Sequence, residues 1–198
     1  DAKCQLSLLY RNNTPVKVYA LVVSTQHSPD FNAKKIKDII YPYILKALPD
    51  DWMCSDDKFL VNPSGKFVKG GPAADSGLTG RKIIVDTYGG AALHGGGAFS
   101  GKDCSKVDRS AAYMARYLAK NLVAANVAKK CTIQLCYAIG KVQPVSVYIN
   151  SHGTGIIPDD EITRFIEKEV DLSPAGIRKT LNLKRPIYQL TASYGHFG

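Results

Sequence analysis

The chain has 198 residues, of which 45% are apolar and 22% are charged, and its net charge is +9. This composition is ordinary for a globular protein and excludes a disordered or collagen-like chain. No run approaches the about 20 apolar residues that a membrane helix needs, so we expect no membrane-spanning segment. The positive charge favours an anionic partner, although a generally basic surface gives the same total.

The first third of the chain predicts a hairpin followed by a helix. Residues 5–10 and 16–24 are rich in strand-forming side chains and flank a polar turn, which predicts a β-hairpin. Residues 31–48 carry apolar side chains at helical spacing, and Pro42 within them predicts a kink or a break. A short extended segment at 59–62 then leads into an Asn-Pro-Ser-Gly turn.

Residues 70–101 are the part of the chain that is richest in glycine. Two glycine-rich loops bracket the segment 82–86, whose β-branched side chains predict a strand. Both loops carry cations, Arg81 with Lys82 in one case and Lys102 in the other. Because glycine lets the main chain approach a ligand closely, we expect a binding site here.

The last hundred residues are predicted to form two strands and three helices, in the order helix, strand, strand, helix, helix. The segments are 105–126, 131–139, 145–150, 160–170 and 174–181. Strands joined as hairpins, with helices laid on one face, define an α+β fold.

The segment 96–103 has the G-x-x-x-x-G-K spacing of a phosphate-binding P-loop. Asp103 stands where that loop has the Ser or Thr that holds magnesium, which disfavours a P-loop nucleoside triphosphatase. Lys102, Lys106 and Arg109 nevertheless crowd the predicted helix start, where cations lower stability unless an anion is bound. We therefore predict a phosphate site at this helix start.

The same helix start also has a purely structural explanation that involves no ligand. Ser105 and Asp108 have the spacing of a capping box, so the segment could be a solvated turn with a capped helix. In the phosphate interpretation, Asp103 and Asp108 could instead bring a divalent metal to the anion, because magnesium prefers hard oxygen ligands.

The five cysteines are an odd number and contain no C-x-x-C pair. Together with the absence of a recognisable secretory leader, this predicts reduced thiols in the cytoplasm and no zinc site.

Long stretches of the chain resemble the S-adenosylmethionine synthetase family. The stretches are Gly70–Pro72, Asp75–Gly90 and His94–Arg109, with Asp1–Lys3, Ser24–His27 and Asn62–Gly65 upstream and Tyr137–Gly140 and Tyr194–Gly198 downstream. The resemblance therefore covers essentially the whole chain.

The resemblance implies a fold and an activity. The fold is made of repeated small α+β units around a pseudo-threefold axis, with residues 1–70 as the end of the middle domain and 71–198 as the C-terminal domain. The activity transfers the adenosyl group of ATP to methionine and then hydrolyses the tripolyphosphate to phosphate and pyrophosphate. The resemblance also implies two Mg²⁺ ions per site, K⁺, and a cytoplasmic homodimer or homotetramer with active sites between subunits.

The resemblance assigns roles to individual residues. The catalytic, triphosphate-holding set is Lys3, Arg81, Lys82, Lys102 and Lys106. Further ATP contacts are Asp1, Ser24 and Phe67, the methionine contacts are Asp75, Lys106 and Ile139, and the magnesium ligand is Asp108. The four histidines, His27, His94, His152 and His196, are expected to be structural.

Because the chain begins at Asp1 and ends at Gly198 within family motifs, we expect a fragment without the N-terminal unit. The family's catalytic histidine would then be missing, and the chain by itself would not make S-adenosylmethionine. The alternative is a truncated, non-catalytic or regulatory paralogue that binds polyphosphate and pairs with a full subunit. Nucleic-acid binding through basic charge is a third hypothesis and the least favoured, because the cations are spread along the chain.

Overall fold

The computed structural model describes residues 1–197. The chain divides into two compact units, Asp1–Gly77 and Leu78–Gly198, called here the first and the second unit. The elements of both units alternate strands and helices without a large parallel sheet, so the predicted α+β class is confirmed.

The first unit is built on a three-stranded sheet. Strand β1 (Ala2–Arg11) pairs antiparallel with β2 (Thr14–Thr25), and β2 pairs parallel with β3 (Phe59–Val61). The connecting turn is tighter than predicted, because Asn12 and Asn13 both take left-handed φ angles of 50° and 60°. Two such residues match the twist of the flanking strands, and asparagine tolerates this conformation well.

Helix α1 (Ala33–Ala47) follows the hairpin and begins at Asn32, whose side chain accepts a hydrogen bond from the Lys35 N–H. The predicted break at Pro42 is wrong, because the helix continues through it. Proline removes one main-chain donor. Burial of Ile36 on one side of the proline, with Ile44 packed on the same core beyond it, keeps the helix continuous.

The core of the first unit lies between α1 and the sheet. Its buried members come from β2, β3 and the helix, together with Cys54: Val18, Leu21, Ile36, Cys54, Phe59 and Val61. Leu8 of β1 packs against this cluster and is partly buried.

The second unit contains three helices and a two-stranded sheet. The helices are α2 (Val107–Ala124), α3 (Asp159–Glu169) and α4 (Pro174–Thr180). Strands β4 (Thr132–Cys136) and β5 (Ser146–Asn150) pair antiparallel. Helix α2 packs on β4 and α4, and α3 packs on β5.

The second core is aliphatic and collects the inward faces of these elements. Its buried residues are Ala111, Met114, Leu118, Ile149, Ile162, Ile166, Leu172, Ile177 and Leu183. Ala111, Met114 and Leu118 follow helical spacing, so this apolar face of α2 serves packing.

The strand predicted at residues 82–86 is wrong. This segment forms consecutive turns, in which the Asp86 N–H donates to the Lys82 carbonyl at 2.8 Å and Gly89 N–H donates to Ile84 at 3.0 Å. These local bonds satisfy main-chain groups that a sheet would otherwise pair. Val85 is consequently 70% exposed, although its residue type favours a strand.

Within residues 1–197, no helix combines the length and the apolar character needed to cross a membrane.

Candidate anion-binding site

Lys102 and Asp108 meet at the start of α2. The Lys102 Nζ lies 2.5 Å from the Asp108 Oδ2, and both side chains are partly exposed. Asp108 belongs to the first turn of the helix, where a carboxylate interacts favourably with the helix dipole. An exposed pair of this kind contributes little to stability and can exchange its partners for a ligand.

Lys106 occupies the N-cap position of α2, so the predicted capping box is wrong. In the part of the chain that the structure describes, no side chain caps the first turn. The Ser105 N–H instead donates to the Asp103 Oδ1 at 2.7 Å, one turn too early to cap the helix. Hydrogen bonds from Ser105 hold the pKa of Asp103 below its ordinary value. An uncapped first turn offers N–H groups to an anion, and Lys106 stands directly beside them.

Gly97 packs directly against the carboxylate of Asp108. A Cβ atom at this position would lie 2.7 Å from the Asp108 Cβ and Cγ and 2.8 Å from Oδ1. Such distances are too short for any side chain, so glycine is required for Asp108 to keep its place.

Arg81 and Lys82 are both exposed and follow a close contact between two loops. A Cβ on Gly80 would lie 3.0 Å from the Ser100 carbonyl oxygen, and the φ of Gly80 is +80°. This glycine therefore places the main chain of Arg81 beside the loop that carries Lys102.

Arg109 does not belong to the exposed cation group that the sequence predicted. Its side chain is buried, with 7% exposure, and its guanidinium is committed to protein groups. It donates to the Lys102 carbonyl at 2.7 Å and to the Tyr113 hydroxyl at 3.1 Å, and it lies over the Tyr188 ring at 4.2 Å. Arg109 holds the loop and does not face an anion.

Three residues predicted to contact ATP lie at the same end of the first unit's hairpin. Lys3 and Ser24 are cross-strand partners, so their side chains share one face of the sheet. The Asp1 carbonyl accepts a hydrogen bond from the Gln26 N–H at 2.8 Å, and its carboxylate accepts one from the Gly71 N–H at 3.0 Å.

Phe67 is tied to the same region by His27. The His27 N–H donates to the Phe67 carbonyl at 2.9 Å, and the Phe67 N–H donates to the His27 Nε2 at 3.1 Å. The structural role predicted for His27 agrees with this pairing.

Asn62 is a positioning residue that the sequence did not reveal. Its side chain is buried and pairs with both main-chain groups of Thr25, accepting from the N–H at 2.8 Å and donating to the carbonyl at 3.1 Å. It thereby completes the end of β2 next to Ser24. The Asn-Pro sequence signals a turn, but nothing in it identifies Thr25 as the partner.

The residues predicted to bind methionine are all on the surface of their units. Asp75 is exposed in the first unit, whereas Lys106 and Ile139 are exposed in the second. Ile139 is fully exposed, which excludes a role in the core.

The donor set at α2 fits magnesium only in combination with phosphate. Among residues 1–197, no three His, Cys, Asp or Glu side chains gather into a ready metal site. Asp108 nevertheless supplies a hard oxygen beside two lysines, and protein-bound magnesium commonly takes one or two carboxylates together with phosphate oxygens. Asp108 would hold such an ion.

A cavity of about 400 Å³ lies in the second unit between α2, β4 and the loop 87–99, and Gly97 and Asp108 belong to its lining. Its lining is mostly apolar and aromatic, and the Arg116 guanidinium lies 5.6 Å from the centre of the Tyr88 ring. This lining does not suit a highly charged phosphate chain.

The fold and the site together describe an α+β protein with a cation-rich, uncapped helix start. Comparison with known sequences is more specific. The profile of the S-adenosylmethionine synthetase C-terminal domain matches residues 69–198, and that of the central domain matches residues 1–67. The chain belongs to the S-adenosylmethionine synthetase family, and the resemblance predicted from the sequence is confirmed.

Individual relatives agree with this assignment. The chain is 60% identical over 198 residues to the S-adenosylmethionine synthase of Rhodospirillum centenum and 61% identical over 199 residues to that of Ruegeria pomeroyi. It is 57% identical to S-adenosylmethionine synthase 2 of Rhodospirillum rubrum. Each match covers 100% of this chain and 51% of the relative, so the chain spans about half the length of the curated relatives it matches.

Proposed function

We propose that this chain takes part in the transfer of the adenosyl group of ATP to methionine, and that it binds the triphosphate at the start of α2. The relatives' name, S-adenosylmethionine synthase, supports the reaction. The observation that carries the site is the gathering of Lys102, Lys106 and Asp108 at a helix start without a side-chain cap.

The chemical task of this site is to stabilise the leaving triphosphate. The methionine sulfur is neutral, and as it attacks the ribose carbon, negative charge grows on the phosphate chain. Lys102 and Lys106 would face that charge, and the N–H groups of the first turn would donate to it. A magnesium ion, when bound at Asp108, would offset further charge on the phosphate oxygens. Arg81 and Lys82 would extend the cationic surface.

The other site residues complete the proposal. Asp1, Lys3, Ser24 and Phe67 would contact ATP, while Asp75, Lys106 and Ile139 would contact methionine. We further propose a domain boundary after residue 70, a cytoplasmic homo-oligomer with active sites between subunits, and a requirement for K⁺.

The purified chain is expected to bind the anion without forming product. The resemblance implies two magnesium ions per site but assigns this chain one metal-binding carboxylate, Asp108. The non-catalytic alternative, a polyphosphate-binding module that pairs with a full subunit, uses the same anion site. Incubation of the chain with ATP, methionine, Mg²⁺ and K⁺ tests the expectation, and formation of S-adenosylmethionine would contradict it.

The position of the anion site can be tested by nuclear magnetic resonance. Magnesium tripolyphosphate is titrated into the ¹⁵N-labelled chain, and the amide shifts are followed. We expect the second unit's saturable shifts to centre on residues 97–110. Lys129 and Lys130 are exposed and adjacent, so the Lys129→Ala/Lys130→Ala variant is a control for loss of charge and should respond like the parent. Saturable shifts confined to other parts of this unit would contradict the proposed site.

A further inference from the structure

Arg109 is a buried cation without a carboxylate partner. No carboxylate among residues 1–197 lies within salt-bridge distance of its guanidinium. Burial of a charge in this way is costly unless polar groups surround it. Here the Lys102 carbonyl, the Tyr113 hydroxyl and the Tyr188 ring provide those contacts. The buried charge of Arg109 therefore serves to hold the loop that contains Lys102.

The proton positions beyond Arg109 follow from donor chemistry. Arginine can only donate, so the Tyr113 oxygen accepts from the Arg109 Nε and gives its own proton to the His196 Nδ1, 2.5 Å away. Neutral His196 then carries its proton on Nε2, which lies 3.1 Å from the Ser100 Oγ and donates to it. The chain of donors therefore runs in one direction from Arg109 to Ser100.

Aromatic packing locks the same loop. Phe99 is almost fully buried, and its ring lies 5.1 Å from the His196 ring and 5.7 Å from the Tyr113 ring. Both contacts are edge-on, which is a favoured geometry for aromatic pairs. Phe99 is thus held by ring packing, Ser100 by a side-chain hydrogen bond, and Lys102 by a hydrogen bond to its carbonyl.

We propose that Arg109, Tyr113 and His196 are positioning residues that hold the loop 99–102 and so place Lys102 for the triphosphate. The proposal rests on the proposed function, because it assigns Lys102 to the anion. These residues do not touch the ligand. They act through the main chain and through Ser100, in a loop that is itself neither strand nor helix.

The matched pair Tyr113→Phe and Tyr137→Phe tests the proposal. Both tyrosines are partly buried in the second unit, and each loses one hydroxyl while keeping its ring. The Tyr137 hydroxyl donates to the Leu172 carbonyl at 2.7 Å, remote from the loop 99–102 in sequence. Two quantities are measured in the whole chain: the dissociation constant of magnesium tripolyphosphate by calorimetry, and amide hydrogen exchange at residues 99–102.

Positioning predicts that Tyr113→Phe weakens binding by about tenfold, as expected for one hydrogen bond in a charged network. Amide exchange at residues 99–102 should also accelerate. Tyr137→Phe should keep the parent affinity and the parent exchange rates in the loop. In a ¹⁵N spectrum, the parent should show His196 as the Nε2–H tautomer, and Tyr113→Phe should lose this preference.

Failure of the positioning proposal and failure of the proposed function give different results. If the parent binds and Lys102→Ala abolishes binding, but Tyr113→Phe binds like the parent, the positioning proposal is overturned and the proposed function stands. If the parent does not bind, the proposed function fails in this chain. Exchange rates then still decide whether the network holds the loop, and equal rates in the parent and Tyr113→Phe overturn that claim.

Discussion

Asn62 in the first unit and Arg109 in the second are both buried polar residues, and each bonds the main chain at or next to a proposed site residue. Asn62 pairs with the N–H and the carbonyl of Thr25 and so completes the end of a regular strand. Arg109 donates to the carbonyl of Lys102, in a loop without regular structure. Asn62 adds hydrogen bonds at the end of a strand that is already paired in a sheet. Arg109 bonds a loop that has no sheet or helix hydrogen bonds of its own.

Single substitutions should therefore differ in their effects on the two units. A neutral amide leaves two unpaired main-chain groups when it is removed, but the adjoining strand pairs still hold the register. Removal of a buried guanidinium leaves its acceptors unpaired and releases the loop that they belong to. We therefore expect the irregular loop to depend more strongly on its single anchor.

The largest effect is expected for Arg109→Ala. The loss of the hydrogen bonds to the Lys102 carbonyl, the Tyr113 hydroxyl and the Thr191 hydroxyl, and of the Tyr188 packing, should lower the free energy of unfolding of the second unit by about 3 kcal/mol. Binding of magnesium tripolyphosphate should also be lost. The control is Arg164→Ala, because Arg164 is exposed and pairs with Asp160 within one helix. Its cost should stay within about 0.5 kcal/mol in urea unfolding followed by circular dichroism.

Arg109→Lys separates charge from geometry in the same place. Lysine keeps the charge but lacks the planar fork that reaches Lys102 and Tyr113 together. If Arg109→Lys bound the anion as the parent does, charge alone would explain the role of Arg109.

A smaller loss, of about 2 kcal/mol, is expected for Asn62→Ala in the first unit. Trp52, the chain's one tryptophan, packs against the core of this unit and reports its unfolding by fluorescence. Asn32→Ala removes only a helix cap and should cost about 1 kcal/mol. Equal costs for the two variants would mean that the Thr25 pairing adds nothing beyond an ordinary cap.

Substitution at Gly97 should affect binding more than stability. In Gly97→Ala the new methyl group would displace Asp108, and affinity for magnesium tripolyphosphate should fall about tenfold, the effect of losing one charge-assisted contact. Gly95→Ala is the matched control, because a Cβ there meets no atom within 4 Å. Similar affinities for the two variants would contradict the role of Asp108 in anion binding.

The smallest effect is a pH dependence of stability that comes from His196. Burial, aided by the charge of Arg109, lowers the pKa of His196 below its ordinary value of 6.5, while Asp86 opposes the shift and Tyr113 donates to the ring. The unfolded chain then takes up a proton that the folded chain refuses. The associated stability is present above pH 6.5 and is lost as the pH falls towards the folded pKa. His196→Gln should flatten this part of a stability–pH profile, and an unchanged profile would contradict the assignment.

Regular elements could be predicted from the sequence because their patterns are local. Alternation predicted the hairpin, and helical spacing predicted α2 and α3 within a few residues of their observed ends. The strand prediction for residues 82–86 was wrong because the strand preference of β-branched residues is weaker here than the local turns, which the flanking glycines allow.

The contacts that shape the site could not be predicted in the same way. Asn62 and Thr25 are 37 positions apart, and Arg109 and Thr191 are 82 positions apart. No periodicity encodes such pairs, so Arg109 looked like one more surface cation at a helix start. Family resemblance named Lys102 and Lys106, but only the structure shows what holds Lys102.

Calorimetric titration of magnesium tripolyphosphate tests whether the start of α2 binds the anion, with the parent, Lys102→Ala/Lys106→Ala and Lys129→Ala/Lys130→Ala measured side by side. Both variants lose two positive charges, so they differ only in where the charges lie. We expect saturable binding in the parent and in Lys129→Ala/Lys130→Ala, and none in Lys102→Ala/Lys106→Ala. Equal weakening in both variants would show that general basic charge, and not the start of α2, binds the anion.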